Sequence, residues 1–159
     1  MKDQTITTQR RQRMQLPKYQ YKTNHGFLDY EFVSEGPNGK IKKVIRYSKL
    51  SNRVFNLAFG DLDETTGEIS DTAVSNNADS RKVLATVAAT VYDFTSQYPG
   101  LMVMVKGSTP VRTRLYRMGI ANYLHLLTGD FEIYGLQNRR WEAFTRRRDY
   151  EAFLIRRKL

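Results

Sequence analysis

From residue 27 onward the apolar positions recur in distinct rhythms, and each rhythm predicts a different element. Phe27 to Ser34 alternates around Tyr30 and Phe32, the period-2 pattern of a half-buried strand. Gly36-Pro37-Asn38-Gly39 then supplies a tight turn, because Asn-Gly tolerates the positive φ angles that hairpins require. Ile41 to Tyr47 and Val54 to Phe59 read as the next two strands, Asp61 to Gly67 as a polar turn, and Ile69 to Val74 as a fourth strand, giving an antiparallel meander. The side chains of Ser75, Asn76, Asn77, Asp79 and Ser80 can accept the orphan amides of a first helical turn. They predict a helix from about Ser80 to Gln97, in which Val83, Leu84, Val87, Ala88, Val91 and Phe94 recur at helical spacing and Pro99-Gly100 ends the run.

Leu101 to Val105 is a continuous apolar run short enough for a buried strand. Thr109-Pro110 opens a second helix, with proline at the first position, where a missing N–H is harmless. Leu115, Met118, Tyr123 and Leu124 carry that helix to about Leu127, with a stop near Gly129. Phe131 to Leu136, Trp141 to Phe144 and Tyr150 to Ile155 read as three closing strands. Together these predict a single α+β domain over residues 25–159, with one mainly antiparallel sheet (an N-terminal four-strand meander, one central strand and about three C-terminal strands) and two helices packed on it. Residues 1–24 show neither rhythm and are rich in Gln, Thr and Arg, so they are expected to form a flexible basic arm.

A chain of 159 residues can bury a core without metal or disulfide staples. Its lack of cysteine excludes a disulfide framework, a thiolate zinc site and a cysteine nucleophile. No window approaches the roughly 18 apolar residues of a membrane span, and the N-terminus lacks the apolar run of a signal peptide, so a cytoplasmic protein with no membrane partner is expected.

Charge changes the picture more than composition does. The formal net charge is +10, from 26 Lys and Arg against 16 Asp and Glu. Residues 1–22 hold Lys2, Arg10, Arg11, Arg13, Lys18 and Lys22 against Asp3, which leaves +5. Residues 138–159 hold Arg139, Arg140, Arg146, Arg147, Arg148, Arg156, Arg157 and Lys158 against Glu142, Asp149 and Glu151, again +5, so the centre is neutral. Two cationic ends on a neutral body attract a polyanion by counterion release, whatever its sequence. The expected partner is therefore nucleic acid, DNA or RNA, or an acidic protein. Arg10, Arg11, Arg13, Lys18, Arg139, Arg140, Arg146, Arg147, Arg148, Arg156 and Arg157 are the candidate contacts. The run Arg146-Arg147-Arg148 is expected to lack local ion pairs. Trp141, Phe144, Tyr150 and Phe153 lie among these arginines, where exposed rings would stack on bases. Strand alternation offers the other reading, with Trp141 and Ala143, and Phe153 and Ile155, turned inward.

A second cationic motif lies mid-chain. A buried strand that ends in Gly107-Ser108-Thr109 and turns into a helix presents free amides and the positive end of the helix dipole, with cations nearby. Lys106, Gly107, Ser108, Thr109, Arg112, Arg114 and Arg117 are the candidate anion-binding residues. The same residues also read as an ordinary helix start, with Thr109 as its cap, Gly107 relieving a tight turn and the arginines solvated; a full phosphate-loop spacing is absent. The remaining chemistry is sparse. Asp61, Asp63, Glu64 and Glu68 could hold a hard cation, yet Thr66 stands where a calcium loop needs glycine, so a solvated turn is expected. His25 and His125 are far apart in sequence, and Ser108 lacks a Gly-x-Ser-x-Gly elbow. No metal and no cofactor is expected.

The segments Tyr30-Glu31-Phe32-Val33-Ser34-Glu35-Gly36, Asn56-Leu57-Ala58-Phe59-Gly60-Asp61, Val74-Ser75-Asn76-Asn77 and the run from Lys82 to Phe94 resemble a family of small proteins common in Bacteroidota and known as a domain of unknown function. Gly107-Ser108-Thr109-Pro110 with Arg112-Thr113-Arg114-Leu115-Tyr116-Arg117 carries the same resemblance, which covers roughly residues 27–158 and implies no activity. Three functions remain open on these grounds: a non-enzymatic nucleic-acid-associated protein; an interaction subunit, such as one half of a toxin and antitoxin pair, with an acidic partner; and an enzyme on a phosphorylated or nucleotide substrate using Lys106, Ser108, Arg112 and Tyr116.

Overall fold

The computed structural model describes residues 16–70 and 77–158. Strands β1 (Lys22–Thr23), β2 (Asp29–Gly36), β3 (Gly39–Lys49), β4 (Val54–Leu62) and β5 (Ile69–Ser70) come first, then helix α1 (Ser80–Gln97) and strand β6 (Met102–Val105). Helices α2 (Pro110–Asn122) and α3 (Leu124–Asp130) follow, and β7 (Phe131–Gln137), β8 (Arg140–Ala143) and β9 (Ala152–Arg157) close the chain. Among the described residues one sheet holds all nine strands in the order β1-β2-β3-β4-β6-β9-β7-β8, with β5 paired to β4 off that path. The α+β class and the mainly antiparallel sheet agree with the hydrophobic rhythms. The exception is central: β6 runs parallel to β4, Val54 opposite Met102, because the chain returns to the sheet through α1 rather than through a hairpin.

The β2–β3 turn places Pro37 and Asn38 between the paired Gly36 and Gly39, and the positive φ falls on Gly39 alone, at 88°. On the helix side of the sheet, Tyr30, Phe32, Ile45, Tyr47, Leu57 and Phe153 form the core with Val83, Val87, Val91 and Phe94 of α1. The rings of Tyr47 and Phe94 stack with centroids 4.2 Å apart.

Three features depart from expectation. The second helix breaks at Tyr123 (φ −110°, ψ 17°), so three helices rather than two are found among the described residues. On an unbroken helix, at roughly 100° per residue, Leu126 would sit about 120° round from the buried Ile120. After the break Leu126 is buried as well. Residues 16–24, expected in the flexible arm, instead lie against the body. Tyr19 stacks on Phe32, its N–H donates to Thr86 Oγ1 at 2.9 Å, and β1 adds a two-residue strand to the sheet that the pattern does not signal. Finally, Trp141 is 42% exposed rather than turned inward. It lies opposite Leu136, on the sheet face away from the helices.

Candidate functional site

The turn from β6 into α2 takes the capping geometry. Thr109 Oγ1 accepts the N–H of Arg112 at 3.2 Å, and Thr113 Oγ1 accepts that of Gly107 at 3.1 Å. A Cβ on Gly107 would lie 2.3 Å from the nitrogen of Thr113, so only glycine lets strand and helix meet this closely. Arg112 folds back: its Nη1 donates to Ser108 Oγ at 3.3 Å and lies 3.7 Å from where a Gly60 Cβ would stand. Lys106, Ser108, Thr109 and Arg114 are exposed.

Two ion pairs hold the C-terminal basic segments together, and one of them reaches this helix. Arg117 Nε lies 3.3 Å from Asp149 Oδ1, which ties α2 to the loop after β8. Arg148 Nη1 donates to Gln137 Oε1 at 3.2 Å and to Glu142 Oε1 at 3.0 Å, which ties the loop to the β7–β8 hairpin. Arg148 therefore has the local ion pair that its run was expected to lack. The hairpin itself turns through Asn138 and Arg139 with φ of 50° and 63°, the two positive values of a tight primed turn. Arg139 and Arg140 are thereby presented at the sheet's edge. Tyr150 anchors the loop from below, its hydroxyl accepting the N–H of Thr145 at 3.1 Å. Arg114, Arg139, Arg140, Arg146 and Arg147 are exposed around this assembly and make no ion pair or hydrogen bond through their side chains among the described residues.

The last two candidate arginines are placed differently. Arg156 pairs with Glu132 on the open sheet face and, by hydrogen bonding together with Tyr134, holds that carboxyl below the usual range. Arg157 lies over the edge-packed rings of Tyr92 and Phe131, 5.1 and 5.2 Å from their centroids, and donates to Thr95 Oγ1, the Tyr92 carbonyl and Ser96 Oγ. It serves the fold. Lys18 is exposed beside α1, and Arg10, Arg11 and Arg13 lie outside the described residues.

A family model described as a family of unknown function, DUF6934, matches residues 15–158. The chain belongs to that family. The DUF6934 match takes in Tyr19 and Tyr21, which pack on α1, and leaves Arg10, Arg11 and Arg13 outside. Neither a curated protein nor a solved structure matches the chain.

Other candidates in this DUF6934 chain resolve into structural roles. Asp61 pairs with the buried Lys43, Glu64 lies 3.5 Å from Lys42, and Asp63 Oδ1 accepts the N–H of Thr65 at 2.9 Å within the turn. His25 and His125 are both exposed, on different segments. Among the described residues no group of His, Cys, Asp and Glu could hold a metal ion. What the hydrophobic pattern overlooks is the polar side of α1. Thr86, Thr90 and Thr95 are buried and take Tyr19 N–H, the Tyr47 hydroxyl and Arg157 Nε. Their one signal is the near-helical spacing of three threonines beside the apolar stripe.

Proposed function

We propose that this DUF6934 protein binds nucleic acid without enzymatic chemistry, through the cationic rim formed by α2, the residue 145–149 loop and the β7–β8 hairpin. The observation that carries this reading is the pair of bridges Arg117–Asp149 and Arg148–Glu142, which gather three separate basic segments while Arg114, Arg139, Arg140, Arg146 and Arg147 stay unpaired among the described residues. Unpaired like charges repel one another, and a phosphate backbone relieves that repulsion while releasing its own counterions. A guanidinium suits the task because its fork grips two phosphate oxygens at once. The exposed Trp141 adds a ring on which a base can stack. A cytoplasmic location belongs to this proposal; among the described residues no helix is long and apolar enough to cross a membrane.

The test is fluorescence anisotropy with labelled single-stranded and duplex oligonucleotides across a salt series. Log affinity should fall linearly with log salt for every sequence tried, and replacing Arg146 and Arg147 together by alanine should lower the slope by about 1.4–1.8, counting about 0.7–0.9 per phosphate contact. An unchanged slope overturns the proposal.

A second reading rests on α2. Val111, Leu115 and Met118 recur one turn apart on its outer face and are 70%, 40% and 45% exposed, with Arg114 alongside. That stripe suits an amphipathic protein segment with an acidic flank. Leu115→Asp would abolish capture of such a partner and leave the oligonucleotide salt slope intact.

A further inference from the structure

Over the centre of the sheet, α1 stands apart from α2 and α3 and leaves a groove of ≈ 520 Å³, inside the range of roughly 300–1,000 Å³ usual for small-molecule sites. Its floor includes Leu57, Val105 and Ile155, and its walls include Leu84 and Ala88 of α1 facing Tyr116 and Ile120 of α2. The gap has a local cause. The two helices meet where Gly119 faces Leu84, a contact so close that a Cβ on Gly119 would lie 3.1 Å from Leu84 Cδ1. One turn further along α1 stands Ala88, which is too short to fill the space below that crossing, and the break at Tyr123 turns α3 out of line.

The polar groups around this space are few. Tyr21 donates its hydroxyl to Asp93, and Arg157 is held by Thr95, Tyr92 and Ser96, so those two charges are engaged. Lys18, at the rim, and the hydroxyls of Tyr116 and Tyr123 have no hydrogen-bond partner among the described residues. Burial pushes the Tyr116 phenol up to about 12, against a smaller opposing pull from Arg112, so it remains a hydrogen-bond donor. Water needs two to four polar partners to settle, and an aliphatic floor gives it none.

We propose that this groove binds a small monocarboxylate amphiphile. Its alkyl or aryl body lies along Leu57, Val105 and Ile155, and its carboxylate takes the Lys18 ammonium and a tyrosine hydroxyl. The cation selects an anionic head and the floor selects an apolar tail, independently of what the arginine rim binds.

Titration calorimetry on the full chain with decanoate and with 1-decanol tests the proposal. Decanoate should bind with one-to-one stoichiometry. Lys18→Glu should weaken decanoate by about tenfold, the loss of one charge-assisted contact, and leave 1-decanol nearly unchanged. Ala88→Leu should abolish binding of both while the melting temperature holds or rises. Binding of neither compound at about 1 mM overturns the site, as does decanoate binding that survives Ala88→Leu. Should that variant fail to fold, nuclear Overhauser contacts between decanoate and the methyls of Leu57 and Ile155 in the unmodified chain decide the matter, and their absence is equally fatal.

Discussion

The ring of Tyr150 lies against bare backbone at Gly135, where a Cβ would come within 2.3 Å of Tyr150 Cδ1. Gly135 is central in β7, and Tyr150 stands at the end of the loop that carries Arg146, Arg147 and Arg148. The contact therefore links sheet packing to the placement of the cationic rim. Gly135→Ala should push the ring off and cost about 1–3 kcal/mol in urea unfolding, as overpacking of a tight core site does. Tyr150→Phe keeps the ring and removes only the hydroxyl that accepts the Thr145 N–H, so it should cost about 1 kcal/mol.

Arg157 predicts the opposite partition between stability and binding. Its guanidinium makes three hydrogen bonds and lies against two aromatic rings, so Arg157→Ala should destabilise the chain by about 2–4 kcal/mol, measured by chemical denaturation. The salt slope of oligonucleotide binding should stay as it is in the unmodified chain, because this cation already faces protein.

These two cases mark how far the sequence could be read. The apolar stripe of α1 and the alternation around Tyr30 and Phe32 are legible because burial repeats at the helical and strand periods, and the structure places α1 at Ser80–Gln97. The break at Tyr123 is illegible because neither proline nor glycine marks it; the need to bury Leu126 as well as Ile120 is a tertiary demand. The burial of Tyr19 is hidden for the same reason, since its partners Phe32, Thr86 and Asp79 lie in other segments. At the candidate site, the basic composition of the C-terminal segment is plain in the chain. Which arginines are spent on the fold is not, because Arg156 and Arg157 differ only in the face of β9 from which they project.

Buried tyrosines set an alkaline limit on stability. Burial raises the phenols of Tyr30 and Tyr116 to about 12 and holds those of Tyr21 and Tyr47 above the usual value of 10.0, with Asp93 adding to the effect at Tyr21. The folded chain thus keeps protons that the unfolded chain releases near pH 10. Their contribution to stability is fully present below pH 10 and is lost as pH rises through 12. Each such group should lower unfolding stability by about 1.4 kcal/mol per pH unit across that interval. Denaturant midpoints measured alongside phenolate absorbance should fall together there, and a flat stability profile would contradict the burial of these rings.

The rim can also be distinguished from net charge as such. Arg156 and Arg146 carry equal charge, but Arg156 is matched by Glu132 and Arg146 has no partner among the described residues. If total charge governed binding, Arg156→Ala and Arg146→Ala would weaken an oligonucleotide complex equally. If unpaired arginines make the contacts, Arg146→Ala should lower the salt slope by about 0.7–0.9 and Arg156→Ala should leave it unchanged. Glu132→Gln provides the converse. It releases Arg156 on the open face, next to Leu154 and across β7 from the strand that bears Trp141, and should steepen the slope by up to one contact. The three variants measured together in one salt series separate local geometry from overall electrostatics, because only the geometric account requires their effects to be zero, negative and positive by position.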